Sequence, residues 1–598
     1  MKKISLKLIY KTILATCLIT TFSCRKVFDI APEDQVDVTN NYRNVYDANA
    51  AVIGIYGKFM GIADRYIVLN ELRADLMSPT VNADQYLRQL NEHAETTDNP
   101  WADPRPFYNI ILNCNDAMAH FDDMVKNAKM TQADYQQRYS DVGAIRSFIY
   151  LQLGIQYGSI PYVTDPIANV QDLDDATKFP RLNLDQLLDK LIAFMGDGSR
   201  YMDPYPSTAS ITGATNTSLN TTVDGYPTNL AFINKRVLLG DLYLWKGNYT
   251  EASRNYRYVC ETGVRTDASV GNLYYNQFRV TNDGGFMTIS YSSGNDERTL
   301  VDNNSSGWRS MFSLTTQNTN ANMEWIWTIP FDKNFAPIDP FINLFSNQGG
   351  SYLLTASQLA MDNWNAQTQS NGFPYDARGR LSVRTLNGQP VIMKQLYYYL
   401  DPSTFVPVNI FQKQGRWLIY RGATNMAHFA EAACNDPLLG AAGVKLAYAL
   451  TNVGVQTCYN GTWPATTSLP SDRTNLMQTF LPSPYDLDAR NGETPYFRQP
   501  WYRQSGSRSR ANLPALPSSY AFGSKTQMET AIIDEAGLEL AFEGTRWSDL
   551  LRVARRRSDP AFLADKVFNK LLKDGNPNAA AVRAKLMTPA NWYMPFKL

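Results

Sequence analysis

Apolar side chains recur along this chain at spacings that distinguish a short leader, helices and at least one strand. At the front, Lys2, Lys3, Lys7 and Lys11 precede an apolar run made mainly by Ile13, Leu14, Ala15, Cys17, Leu18 and Ile19. The run is shorter than the ~20 residues that cross a bilayer, so it reads as a secretory signal rather than a span. Thr21-Phe22-Ser23-Cys24 closes it, which predicts a lipoprotein-type signal peptide over 1–23 with cleavage before Cys24. The thiol and new amine of Cys24 would then carry acyl chains, and more than one chain gives stable anchoring. The alternative is an ordinary secreted protein cut near Ser23. From Val45 to Met60, Ala48, Ala51, Val52, Ile55, Tyr56 and Phe59 fall on one side of a predicted helix. A second helical stretch is predicted over Trp101–Met124, starting after the breakers Pro104 and Pro106. Trp325 and Trp327 are two apart, so on a strand they share a face, read as core.

Four later segments resemble one another. In Ile233–Cys260, Leu239-Gly240-x-x-Tyr243 followed by Ala252-x-x-x-Tyr256 reproduces much of the tetratricopeptide spacing. Gly240 and Ala252 are small where two antiparallel helices would touch. Leu239, Tyr243 and Tyr256 would fill the groove between them, and Gly247-Asn248 would make the turn. Arg236 stands where that motif has Trp. The other three segments are Val142–Tyr157, Trp417–Cys434 and Ile532–Arg556. Helix pairs of this kind stack and bury a continuous seam. These are scattered rather than tandem, so a simple solenoid is excluded. Long Asn/Thr/Ser/Gly-rich stretches, notably Ser207–Pro227 and Ser292–Asn322, separate them. The expected fold is mainly α, with four tetratricopeptide-like helix pairs supporting a large loop-rich ligand-binding region.

Composition narrows the function. Lys plus Arg and Asp plus Glu each number 56, so the net charge is zero, which argues against a nucleic-acid partner. Cys114, Cys260, Cys434 and Cys458 are widely spaced with no C-x-x-C pair, which argues for free thiols rather than a disulfide framework. His93, His120 and His428 are far apart, so no catalytic zinc spacing exists, and His428 in its Ala-rich segment reads as a packed histidine. Serine-nucleophile, phosphate-loop and dinucleotide fingerprints are missing as well. No cofactor and no metal ligand set is predicted, although the loops hold enough Asp and Asn oxygens for a structural calcium.

Several segments together resemble the SusD/RagB family, outer-membrane nutrient-binding lipoproteins of Bacteroidetes. They are Phe28–Pro32, Glu71–Asp75, Trp101 with Tyr108–Asn115, Ala144–Tyr150 with Tyr157–Pro161, Asn322–Trp327, Arg508–Pro514, Glu535–Leu551 and Tyr593–Pro595. Their joint order runs over nearly the whole chain. Arg25-Lys26 departs from the acidic residues that often follow the lipidated cysteine, and Ala536-Gly537 stands where the family often has two basic residues. The resemblance implies a SusD-like fold divided into an N-terminal region over 24–230, a helix pair with a loop-rich insertion over 231–320, and a C-terminal region over 321–598. It implies capture of an oligomeric nutrient, a glycan in the first reading, at the outside of the outer membrane. Delivery would be to a SusC-like TonB-dependent transporter, without catalysis. A peptide cargo is the alternative reading.

Two groups of residues are candidates for chemistry. Glu539, Glu543, Arg546 and Asp549 share helical spacing, and a glycoside hydrolase would need two carboxylates roughly 5–10 Å apart across a cleft. The resemblance implies instead that these charges lock the last helix pair into the scaffold. For ligand binding the candidates are Trp101, Trp308, Arg309 and Trp325, because an indole face suits the C–H groups of a pyranose. Trp308 is favoured, since its Asn304–Arg309 context is rich in Ser and Gly and predicts exposure. Each of these tryptophans also has a plain reading as core. The arginines at Arg503, Arg508, Arg510 and Arg552, Arg555, Arg556, Arg557 read as solvated or salt-bridged rather than as a polyanion site.

Overall fold

A computed structural model describes residues 42–167, 169–196, 231–261, 325–455, 481–487 and 506–598, with short pieces at 219, 222–223, 226–227, 292–293, 296–300 and 307–313. Cys24, the signal segment and most of Ser207–Pro227 and Ser292–Asn322 lie outside the described residues.

The first helix, α1, spans Val45–Met60 as its apolar spacing predicts. Asn44 starts it by accepting from the Tyr46 and Asp47 amides, two of the donors that a helix start leaves unpaired. A short 3-10 turn, Pro100–Ala102, precedes α2, Arg105–Lys126, where Pro106 is tolerated in the first turn. Val142–Tyr157 proves to be the end of a longer helix, α3, Gln132–Tyr157, capped by Thr131. Leu184–Met195 forms α4 behind a reciprocal Asn183/Gln186 cap. Lys235–Lys246 and Tyr249–Glu261 form α5 and α6, joined at Gly247 in the left-handed conformation, φ +83°. Gly240 of α5 is needed for their approach, because a β-carbon there would lie 2.3 Å from the Tyr256 ring of α6.

One expectation is corrected here. The start of Trp417–Cys434 is not helical: Trp325–Phe331 (β1) and Gly415–Arg421 (β2) pair antiparallel, with Trp327 opposite Tyr420. The run Trp417–Tyr420 is aromatic and aliphatic on both faces, and both faces are buried, so the apolar/polar alternation that marks a half-exposed strand is missing. The helix α7 starts only at Gly422 and ends at Asn435, followed by α8, Ala441–Asn452. Near the C-terminus come α9, Lys525–Glu539, α10, Arg546–Arg557, α11, Pro560–Lys573, and α12, Ala579–Leu586.

The helices are scattered in sequence but contiguous in space. α2 packs on α3, α3 on α4, α4 on α5, α5 on α6, α6 on α7, and α7 on both α8 and α9. The contact of α6 with α7 crosses the whole 262–421 interval. Leu244, Ala252 and Tyr256 thereby share a hydrophobic cluster with Phe429, Ala433, Leu446 and Ile532. A larger core runs from Ala48 in α1 through the two strands to Met594.

Candidate functional site

The structure buries three of the four candidate ligand residues together and leaves the fourth partly exposed. Trp308, Arg309 and Trp325 are buried, Trp308 completely. Trp308 lies in the short helix Gly307–Ser313, with Lys394 Nζ 5.1 Å and the Arg421 guanidinium 5.8 Å from its ring centroid. The expected exposure of Trp308 is therefore corrected: buried cations occupy its neighbourhood, where cation–π attraction is strengthened by loss of water. Trp325 donates its ring N–H to the Met311 carbonyl at 2.9 Å and receives the Arg416 guanidinium at 3.9 Å from its ring centroid. Arg309 sits 5.7 Å from the ring of Tyr397.

Trp101 is different, because it is only partly buried against the core. It belongs to the 3-10 turn before α2, and the Asn99 side chain holds its backbone N–H at 2.9 Å. Arg65 Nη1 donates to the Pro100 and Trp101 carbonyls at 2.8 and 2.7 Å, and its guanidinium lies 5.8 Å from the Trp101 ring centroid. Asp103 then pairs with Arg105 at 2.8 Å. From Arg105 onward the exposed side of α2 lines a groove of about 540 Å3 with Asn109, Asn113 and Asp116, closed across the way by Asn169 and Gln171. Side-chain amides carry donors and acceptors together. A row of them suits a ligand whose hydroxyls do the same.

The carboxylates with an enzyme reading are placed elsewhere. Glu539 and Glu543 are buried and ion-paired from several sides. Arg421 reaches Glu539 Oε1 at 2.9 Å and Glu543 Oε2 at 2.7 Å, Arg378 reaches Glu539 Oε2 at 2.8 Å, and Lys394 reaches Glu543 Oε1 at 2.6 Å. Burial pushes the Glu543 carboxyl up, but Arg421 and Lys394 outweigh it and hold the group below the usual carboxylate range. The void beside Glu539, between α7, α8 and α9, is about 20 Å3, room for about one water and not for a sugar. These groups fasten the C-terminal helices, as do Arg546 on Asp75 and Arg552 on Glu431. Arg508 and Arg510 are held by Glu535 and Glu539, while Arg503 lies outside the described residues. Among the described residues no group of three or more His, Cys, Asp or Glu side chains converges as a metal site would require.

Sequence reasoning missed the groove on α2. Arg105, Asn109, Asn113 and Asp116 recur every three or four residues, which places them on one face. That polar stripe was the available signal.

The comparisons with known proteins agree with this architecture. Residues 508–594 match the SusD family model. A SusD superfamily protein from Bacteroides vulgatus superposes with a TM-score of 0.54 at 14% identity, covering 90% of this chain and 92% of that one. A SusD superfamily protein from Bacteroides thetaiotaomicron gives 0.54 at 16% identity over 90% and 94%. Surface glycan-binding protein A from Bacteroides thetaiotaomicron, solved in complex with laminarihexaose, gives 0.51 at 12% identity over 87% and 91%. No curated relative matches the sequence. The chain thus has a mainly helical, SusD-like fold. The family-model match covers its C-terminal residues 508–594, and the likeness of the rest is one of fold.

Proposed function

We propose that the protein captures an oligosaccharide at the outer face of the outer membrane and passes it uncut to a SusC-like TonB-dependent transporter. Acyl chains on Cys24 would tether it there. No described helix is long and apolar enough to cross a membrane, which is compatible with such a tether. The reading rests on one arrangement: a partly exposed Trp101 in the turn before α2, and along α2 a groove lined by amides, an aspartate, an arginine and a few aliphatic side chains. An indole face covers the apolar side of a pyranose, while Asn109, Asn113, Asn169 and Gln171 offer paired donors and acceptors to its hydroxyls. Supporting this, a protein of the same fold was solved with laminarihexaose.

The test is retention of the purified mature protein in native gels cast with laminarin and other polysaccharides, followed by calorimetry on the best oligosaccharide. Trp101→Ala is expected to weaken binding by about tenfold, or roughly 1.4 kcal/mol, with the fold retained by circular dichroism. Retention by no polysaccharide, together with binding of a peptide mixture, would replace the glycan reading with the peptide one. Cys24→Ala is expected to release the protein from the membrane fraction, and co-purification of a TonB-dependent transporter with the tethered form checks the partner.

A further inference from the structure

A second cavity, of about 710 Å3, lies where the C-terminal tail crosses the end of α3. The tail is pinned there: Met594 N–H donates to the Gln156 carbonyl at 2.9 Å, and the Tyr593 ring covers Gly158, where a β-carbon would lie 2.8 Å from it. The size falls within the ~300–1,000 Å3 typical of small-molecule sites. Most of the charges around this cavity are already committed. Asp185 pairs with Arg555 at 3.2 Å, and Lys585 donates to the His93 carbonyl.

Two charged groups on the wall keep hydrogen-bonding capacity to spare, although one of them, Glu95, faces the buried Arg73 guanidinium. The Glu95 side chain is only 5% exposed, yet its Oε2 is buried with no hydrogen-bond partner among the described residues. Its nearest cation is Arg73, with Nη2 3.8 Å from Oε1, beyond hydrogen-bond reach. Arg73 spends that nitrogen on the Trp592 carbonyl at 2.7 Å and its other terminal nitrogen on Gln156 at 2.6 Å. Buried carboxylates are ordinarily satisfied by donors, so one without them invites a donor from a ligand. The second group is Arg181. Its guanidinium lies 4.5 Å from the Phe596 ring centroid, and no carboxylate pairs with it among the described residues. Stacking on a ring leaves the planar fork of donors free to take a carboxylate.

We infer that this cavity binds a small zwitterion, with its ammonium on Glu95 and its carboxylate on Arg181. The site is separate from the groove on α2 and stands without the glycan reading. A free amino acid and a short peptide with unblocked ends share the required chemistry, and the test has an arm for each. L-alanine and tri-L-alanine are titrated into the full mature protein by calorimetry, beside their N-acetyl and C-amide forms. At least one free-ended probe is expected to bind, alanine marking an amino-acid site and trialanine alone marking a peptide site. Acetylation and amidation are each expected to weaken binding by about tenfold. Glu95→Gln is expected to erase the penalty for acetylation, and Arg181→Met, at an exposed position that should not disturb folding, the penalty for amidation. The inference is overturned by an absence of binding at about 10 mM probe. It is equally overturned by equal binding of free and blocked forms, or by wild-type discrimination in Arg181→Met.

Discussion

Arg546 and Asp75 close the molecule with a two-point ion pair between segments 471 residues apart, Nε to Oδ1 at 2.6 Å and Nη2 to Oδ2 at 2.8 Å. One turn earlier, Glu71 accepts the backbone N–H groups of Phe542, Gly544 and Thr545 at 3.1, 2.7 and 3.1 Å. The turn that offers those amides has positive φ at Phe542 and at Gly544, +70° and +91°. At Gly544 a β-carbon would lie 2.3 Å from the Tyr66 ring, so only glycine fits beside that ring. Two short sequence motifs thus meet as lock and fastening.

Removing half of that fastening leaves a buried charge alone. Arg546→Met is expected to cost about 3–5 kcal/mol, because Asp75, 1% exposed in the intact protein, loses its buried partner. Urea denaturation followed by circular dichroism measures it. A loss below about 1 kcal/mol would mean that the pair is not what holds the ends together.

His428 gives the fold a pH dependence of known sign. Its Nδ1 lies 2.8 Å from Asp241 and its Nε2 3.5 Å from Asp549, with Tyr420 and Arg552 also facing this cluster. Burial pushes its pKa down, but the two carboxylates outweigh that and raise it to about 9. A raised folded-state value means that the contribution is complete below pH 6.5 and is lost as pH rises through about 9. At about 1.4 kcal/mol per pH unit, the full contribution is roughly 3 kcal/mol. Unfolding free energies of wild type and His428→Gln, measured from pH 6 to pH 10, are expected to converge at the alkaline end. A constant gap across that range would refute the charged histidine.

How much of this was legible in the sequence depends on the kind of signal. The α1 boundaries followed from apolar spacing alone, and the α5/α6 hairpin followed from small residues at the close approach and glycine at the turn. β2 was not legible, since a strand buried on both faces has the same apolar run as a buried helix. Nor was the burial of Trp308. Its Ser/Gly neighbours suggested a surface loop, but burial there is decided by Lys394 and Arg421, residues about 90 and 110 positions away that need a ring beside them. The groove on α2 needed the opposite wall, Asn169 and Gln171, which no local pattern ties to α2.

Gly240 tests the hairpin directly. Gly240→Ala would place a methyl 2.3 Å from the Tyr256 ring, and overpacking of that kind costs about 1–3 kcal/mol. The helix propensity gained by alanine, about 1 kcal/mol, would offset only part of it. Tyr256→Ala alone also destabilises, since it empties a buried site and removes the 2.6 Å bond to Asp241. In a double-mutant cycle the two losses are expected to be strongly non-additive, the alanine at position 240 costing little once the ring is gone. Additive losses would show that the helices do not meet at this pair.

Trp308 separates a packing role from a binding role. Its ring fills a fully buried place beside Phe312, with centroids 5.5 Å apart, and faces two cations that anchor Glu543. Trp308→Ala is expected to lose about 3–5 kcal/mol, the range for removing a large buried aromatic. Trp308→Phe keeps a ring for Lys394 and Arg421 and is expected to recover a good part of that loss. Neither variant should alter the affinity for an oligosaccharide at temperatures where it stays folded, whereas Trp101→Ala should alter affinity at a much smaller cost in stability than Trp308→Ala. The measurement is a pair of thermal melts and calorimetric titrations on the same three proteins. If Trp308→Phe melts as wild type does but binds sugar more weakly, then Trp308 reaches the ligand and the division of labour between the two tryptophans is wrong.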